Sequence, residues 1–154
     1  MSRQTQNLRE RRNKTNQLVN HMLAERKQLL SLLLRVSALK EEQSDNDREL
    51  LDEFCQVLVD YIAAGHFGLY DRIIKRQERR KNVSDLALEI YPGIDRTTQT
   101  VLSFNEKYNP DQGARKLADL HMDLSALGED LAARIELEDS LINCLIKPAQ
   151  ELRN

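Results

Sequence analysis

Between Leu51 and Ile73 the apolar residues fall into a stripe that only a helix turns to one side. With successive side chains about 100° apart, Leu51, Phe54, Leu58, Tyr61, Ile62, Gly65, Leu69 and Ile73 share a face at the three-and-four spacing of a buried surface. The other side of the same helix lines up Glu49, Glu53, Gln56, Asp60, Ala63, Ala64, Phe67 and Asp71. That ridge is acidic, with two alanines and one phenylalanine set into it. A face meant only for water has no use for Phe67, so the segment carries a core face and a candidate binding face.

Three further stretches repeat the helical period. Thr15, Leu18, Met22, Arg26, Leu29, Leu33 and Val36 predict a long first helix from about Gln4 to about Leu39, with Arg26 interrupting its stripe. Ser44 followed by Asp45 and Asp47 supplies a capping side chain and negative charge at the start of the second. Gly65 and Gly68 suggest a bend within that second helix, and the cations of Arg72–Asn82 suit its end. Val83, Leu86, Ile90, Ile94, Val101, Phe104 and Tyr108 continue the period, but Pro92-Gly93 predicts a short helix, a break at Tyr91-Pro92 and then a longer one. Asn109-Pro110-Asp111-Gln112 reads as a helix start. The last helix carries Leu117, Leu120, Leu124, Leu127, Leu131, Ile135, Glu138, Leu141, Ile142 and Leu145 until Pro148 closes it.

Four amphipathic stretches with short connections make an all-α, antiparallel four-helix bundle with a long N-terminal helix and one Pro-interrupted helix. The whole chain, residues 1–154, is expected to form a single domain. Glu138 interrupts the last stripe as Arg26 interrupts the first. An antiparallel arrangement brings the two together as a buried polar pair that sets specificity without necessarily adding stability.

Charge is unevenly placed although the net value is only −2. Bases dominate Met1–Arg35, and acids dominate Glu41–Asp60, where Arg48 stands alone against eight carboxylates. The basic stretch lacks the interleaved aromatics or reading motif of a nucleic-acid binder. An acidic ridge around an exposed aromatic instead fits a basic protein partner. No leader pattern and no apolar run of membrane-spanning length is evident, so a cytoplasmic location without membrane attachment is expected. Cys55 and Cys144 sit in apolar surroundings outside any metal pattern and read as buried thiols.

Catalytic and cofactor chemistry finds little support. His21, His66 and His121 lie on three helices, and His21 with Glu25 makes an i,i+4 pair, but a di-metal bundle of the hemerythrin kind needs such units repeated. His66 lacks the residues that follow a phosphotransfer histidine and reads as a core-edge residue hydrogen-bonded across the bundle. There is no Gly-x-Ser-x-Gly elbow and no phosphate-binding glycine loop. We expect no enzyme, no cofactor, no metal and no small-molecule substrate. A metal-binding bundle and a helical adaptor for another basic partner are the alternatives.

Glu53-Phe54-Cys55-Gln56, Leu58-Val59-Asp60-Tyr61 and Ala64-Gly65-His66-Phe67 with Tyr70 closely resemble the central signature of the Rsd/AlgQ family of bacterial anti-sigma regulators. The likeness extends to Leu18-Val19 and Glu25-Arg26 in the first helix. In the last it covers Leu127-Gly128-Glu129 and Arg134-Ile135-Glu136-Leu137-Glu138-Asp139 with Leu141-Ile142. The chain departs from the family pattern at Met22, where relatives often have tryptophan, and at Ala63, where some have serine. The resemblance implies a helical bundle that binds the C-terminal promoter-reading domain of the primary sigma factor, sequestering it and favouring alternative sigma factors. It implies contact through Asp60, Ala63 and Phe67, to which the helix geometry adds Ala64 and Asp71. Other regulatory proteins are further candidate partners, and direct nucleic-acid contact is not expected.

Overall fold

The structure is a computed structural model that describes residues 3–40, 44–74, 80–108 and 117–146. Its elements are α1 (Arg3–Ser37), α2 (Asp45–Gly65), a π-helical turn (His66–Tyr70), α3 (Asp71–Ile74), α4 (Lys81–Tyr108), a 3₁₀ turn (Leu117–Asp119) and α5 (Leu120–Ile146). Among the described residues there is no strand, and α1, α2, α4 and α5 form an all-α bundle. No helix of the described residues is long and apolar enough to cross a membrane.

Ser44 caps α2 as its sequence suggests. Its hydroxyl accepts from the Asp47 backbone N–H while the Asp47 carboxylate accepts from the Ser44 N–H, a reciprocal capping box. All eight residues of the Leu51–Ile73 stripe are buried, several of them completely. Phe54 meets Phe104 of α4 edge to face at 5.9 Å, a contact worth about 0.5–1.5 kcal/mol beyond area burial. The buried residues of α1, α2, α4 and α5 join in one apolar cluster.

Two of the expected stripes are rotated slightly. In α1 the buried positions are Val19, Met22, Arg26, Leu29, Leu32 and Val36, while Thr15, Leu18 and Leu33 are half-buried. Leu18 is not idle there, because it packs towards the π-helical turn at Gly68. In α5 Arg134, not Ile135, occupies the buried position one turn before Glu138.

The expected break at Tyr91-Pro92 is not formed, and α4 runs unbroken through Pro92. Proline inside a helix removes one hydrogen bond, here the one to the Leu88 carbonyl, and crowds that carbonyl. Pro92 and Leu88 are both exposed, so water can take up the freed acceptor. The buried series Val83, Ala87, Ile90, Ile94, Thr97, Val101, Phe104 and Tyr108 holds both halves to the core. Gly93 then lets α4 approach α5 closely, since a Cβ there would lie 2.7 Å from Leu137 Cδ1. The start signal at Asn109–Gln112, the end signal at Pro148 and most of the charge run after Ile74 lie outside the described residues.

Candidate functional site: an acidic face over a buried polar centre

The π-helical turn explains how α2 ends. Its five residues carry Leu69 and Tyr70 into the core side by side. The same turn sets Phe67 on the outside, 69% exposed. Its ring meets the His66 ring edge to face at 4.9 Å. His66 is therefore exposed beside Phe67 rather than hydrogen-bonded across the bundle, a correction to the sequence reading.

Asp60 is exposed two turns before Phe67 and accepts a hydrogen bond of 3.0 Å from the Gln56 side-chain amide. That i,i+4 pair holds the carboxylate on the ridge without neutralising it. Ala63, Ala64 and Asp71 are half-buried. Val59, Ile62, Ala63, His66 and Phe67 line one wall of a mostly apolar cleft of about 290 Å3, and Thr98, Val101 and Leu102 of α4 line the other. The structure thus gathers Ala63 and Phe67 into one cleft. Asp60, Ala64 and Asp71 do not line it.

Beneath this face lies a buried polar centre. Glu138 is fully buried. It accepts from the Tyr61 hydroxyl of α2 and, at 3.2 Å, from Arg134 Nε on its own helix. Arg134 also donates to the Ile94 carbonyl at 3.2 Å and to the Thr97 and Thr98 hydroxyls at 3.1 and 2.7 Å. Arg26 of α1 donates to Tyr61 at 2.9 Å and to Asp139 at 2.5 Å, and its Nη2 lies 3.6 Å from Glu138 Oε1. Four helices thereby share one set of hydrogen bonds. Gly65 closes it from above, because a Cβ there would come within 3.1 Å of Glu138 Oε2.

Burial pushes the Glu138 carboxyl above its ordinary value, and the Arg134 charge and the Tyr61 hydrogen bond offset this only in part. The Arg26 guanidinium is also held above its ordinary value. Burial alone would lower it, but its bonds to Asp139 and Tyr61 hold it more firmly charged. The difference follows from geometry, since Arg26 bonds directly to Asp139 and only approaches Glu138. Burial near the Glu138 charge also keeps Tyr61 and Tyr70 protonated. The Tyr70 hydroxyl has no hydrogen-bond partner among the described residues.

The sequence reading missed Arg134, Thr97 and Thr98. The signal for Arg134 was present, as an arginine four residues before Glu138 makes an i,i+4 pair. The α4 wall of the cleft left no comparable mark, because Leu102 reads as one more surface leucine. His21, His66 and His121 are all exposed, and no group of three or more potential metal ligands forms among the described residues. Cys55 is buried, whereas Cys144 is only half-buried and accepts from the Asn82 side chain at 3.3 Å.

A bundle that pairs its buried charges with one another, and presents an aromatic and carboxylates outside, has the make-up of a regulator acting by protein contact. Comparison with known proteins makes this specific. The family model described as regulator of RNA polymerase sigma(70) subunit, Rsd/AlgQ, matches residues 1–146, and the chain belongs to that family. It is 34% identical over 147 residues to a protein named regulator of sigma D from Yersinia enterocolitica, covering 92% of this chain and 88% of that one. A protein of the same name from Shigella dysenteriae is 33% identical over 154 residues, covering 97% of each chain.

Proposed function

We propose that this protein is a non-enzymatic anti-sigma factor of the cytoplasm. It binds the C-terminal promoter-recognition domain of the primary sigma factor through Asp60, Ala63, Ala64, Phe67 and Asp71. Occupied in this way, that domain no longer serves promoter and polymerase, and alternative sigma factors gain access to the enzyme.

The observation that carries the reading is the exposure of Phe67 at the end of an acidic ridge. A promoter-reading helix-turn-helix is basic because it must meet phosphates. Carboxylates at Asp60 and its neighbours match that charge and steer the encounter. Phe67 supplies an aromatic anchor of the kind that dominates interface energy, and the small Ala63 and Ala64 allow close approach. The family membership and the regulator of sigma D names of its relatives support the same partner.

Titration of the protein with the isolated C-terminal domain of the primary sigma factor tests the proposal. Saturable one-to-one binding is expected, and the double variant Asp60→Ala, Phe67→Ala should bind far more weakly while keeping the wild-type circular dichroism spectrum. Wild-type affinity in the double variant would remove this surface from consideration.

A further inference from the structure

Phe67 faces a second wall that the acidic ridge of α2 does not supply. Across the cleft stands Leu102 of α4, 48% exposed, with Thr98 and Val101 beside it. Among the described residues, no lysine or arginine lines this space.

Between Asp95 and Lys107 the charges of α4 are sorted between its two sides. Arg96 pairs with Asp130 at 3.3 Å, and Lys107 pairs with Asp123 at 2.7 Å and Asp119 at 3.4 Å, so both cations are drawn towards α5. Asp95 lies one turn before Thr98, and Glu106 lies one turn after Leu102; both are exposed. With Asp60 on α2, carboxylates thus stand near the cleft on both helices while its interior stays apolar.

We propose that Leu102 is the second anchor of the docking surface. The cleft between Phe67 and Leu102 receives one apolar side chain from a basic amphipathic helix of the partner, and flanking lysines or arginines meet Asp60, Asp95 and Glu106. This rests on the sigma-factor reading above and adds to it a wall, an inserted side chain and a charge pattern. An apolar contact shut off from water by a charged rim is the arrangement in which truncating one side chain costs most affinity. The rim carboxylates govern encounter and salt dependence.

Binding to the isolated sigma C-terminal domain is measured for Leu102→Ser, Leu102→Met, Phe67→Ala and the pair Asp95→Asn, Glu106→Gln, with a thermal melt of each. Leu102→Ser should bind roughly tenfold more weakly, Leu102→Met should restore binding, and the charge pair should flatten the salt dependence of association. Should the serine variant melt early, Leu102→Arg retains an apolar stem but repels a basic helix, and the same loss is expected.

If Leu102→Ser and Leu102→Arg bind like wild type while Phe67→Ala does not, the second anchor is wrong and the sigma-factor reading stands. Salt dependence unchanged in the charge pair overturns the assignment of Asp95 and Glu106. A wild-type protein that fails to bind the domain sinks the sigma-factor reading, and this inference with it.

Discussion

Helix α2 uses its polar chemistry in opposite ways on its two sides. Inside, the Tyr61 hydroxyl is held between Arg26 and Glu138. Outside, Asp60 is exposed and, among the described residues, accepts only from a neighbouring amide. The inner groups are fixed because an unpaired buried charge is costly. The outer ones are left available because a solvated charge costs little until a partner covers it. The two sides should therefore fail differently, the inner one in stability and the outer one in binding.

The largest expected effect comes from Glu138→Ala, which strands Arg134 and removes the acceptor of Tyr61. Loss of one member of a buried ion pair costs about 3–5 kcal/mol, read from urea unfolding. Replacing both members, with Glu138→Leu and Arg134→Met, should recover much of that loss. A near-neutral Glu138→Ala would show that the buried centre contributes little, and the comparison would collapse.

Phe67→Ala should show the converse pattern. Sigma binding should weaken by about 2 kcal/mol, as for an interface anchor, with stability unchanged within about 0.5 kcal/mol as for an exposed site. A fall in stability comparable to the fall in binding would place Phe67 with the core instead.

Two glycines sharpen the contrast at a smaller scale. Alanine is the better helix former by about 1 kcal/mol, so Gly128→Ala, where a Cβ meets nothing within 4 Å, should raise stability by up to that amount. Gly65→Ala should lower it despite the same propensity gain. Its Cβ would press at 3.1 Å on Glu138 Oε2, an oxygen that Arg134 holds in place, and overpacking costs about 1–3 kcal/mol. Melting temperatures that rise for both variants would show that the buried carboxylate can give way.

The smallest effects are slopes with pH, and they carry opposite signs. Glu138 is raised in the folded state, so its contribution is fully present below its ordinary value of 4.5 and is lost as pH rises through the folded value. Asp123 runs the other way. Burial would raise it, but hydrogen bonds from Lys107 and Tyr108 hold it below 3.8; its contribution is present above that value and is lost as pH falls through the folded one. Unfolding midpoints across this range should lose their acid-side decline in Asp123→Asn and their decline above 4.5 in Glu138→Gln.

Much of the fold and half of the site can be read from the chain. The two faces of α2, the Ser44 cap and the apolar stripes are local properties, carried by residues three and four apart and by the chemistry of a helix end. The position of Phe67 outside the core belongs with them. Four features depended on what lies across the bundle. Pro92 remains within α4 because its flanking apolar residues are held by the core. Arg134, rather than Ile135, turns inward to meet Glu138 and the threonines of α4. Tyr70 joins Leu69 in the core within a π-helical turn that no regular period announces. The cleft exists only where Leu102 comes to stand opposite Phe67. Periodicity specifies which side of a helix is apolar, but the rotation of each helix and the gap between two of them are set by contacts distant in sequence.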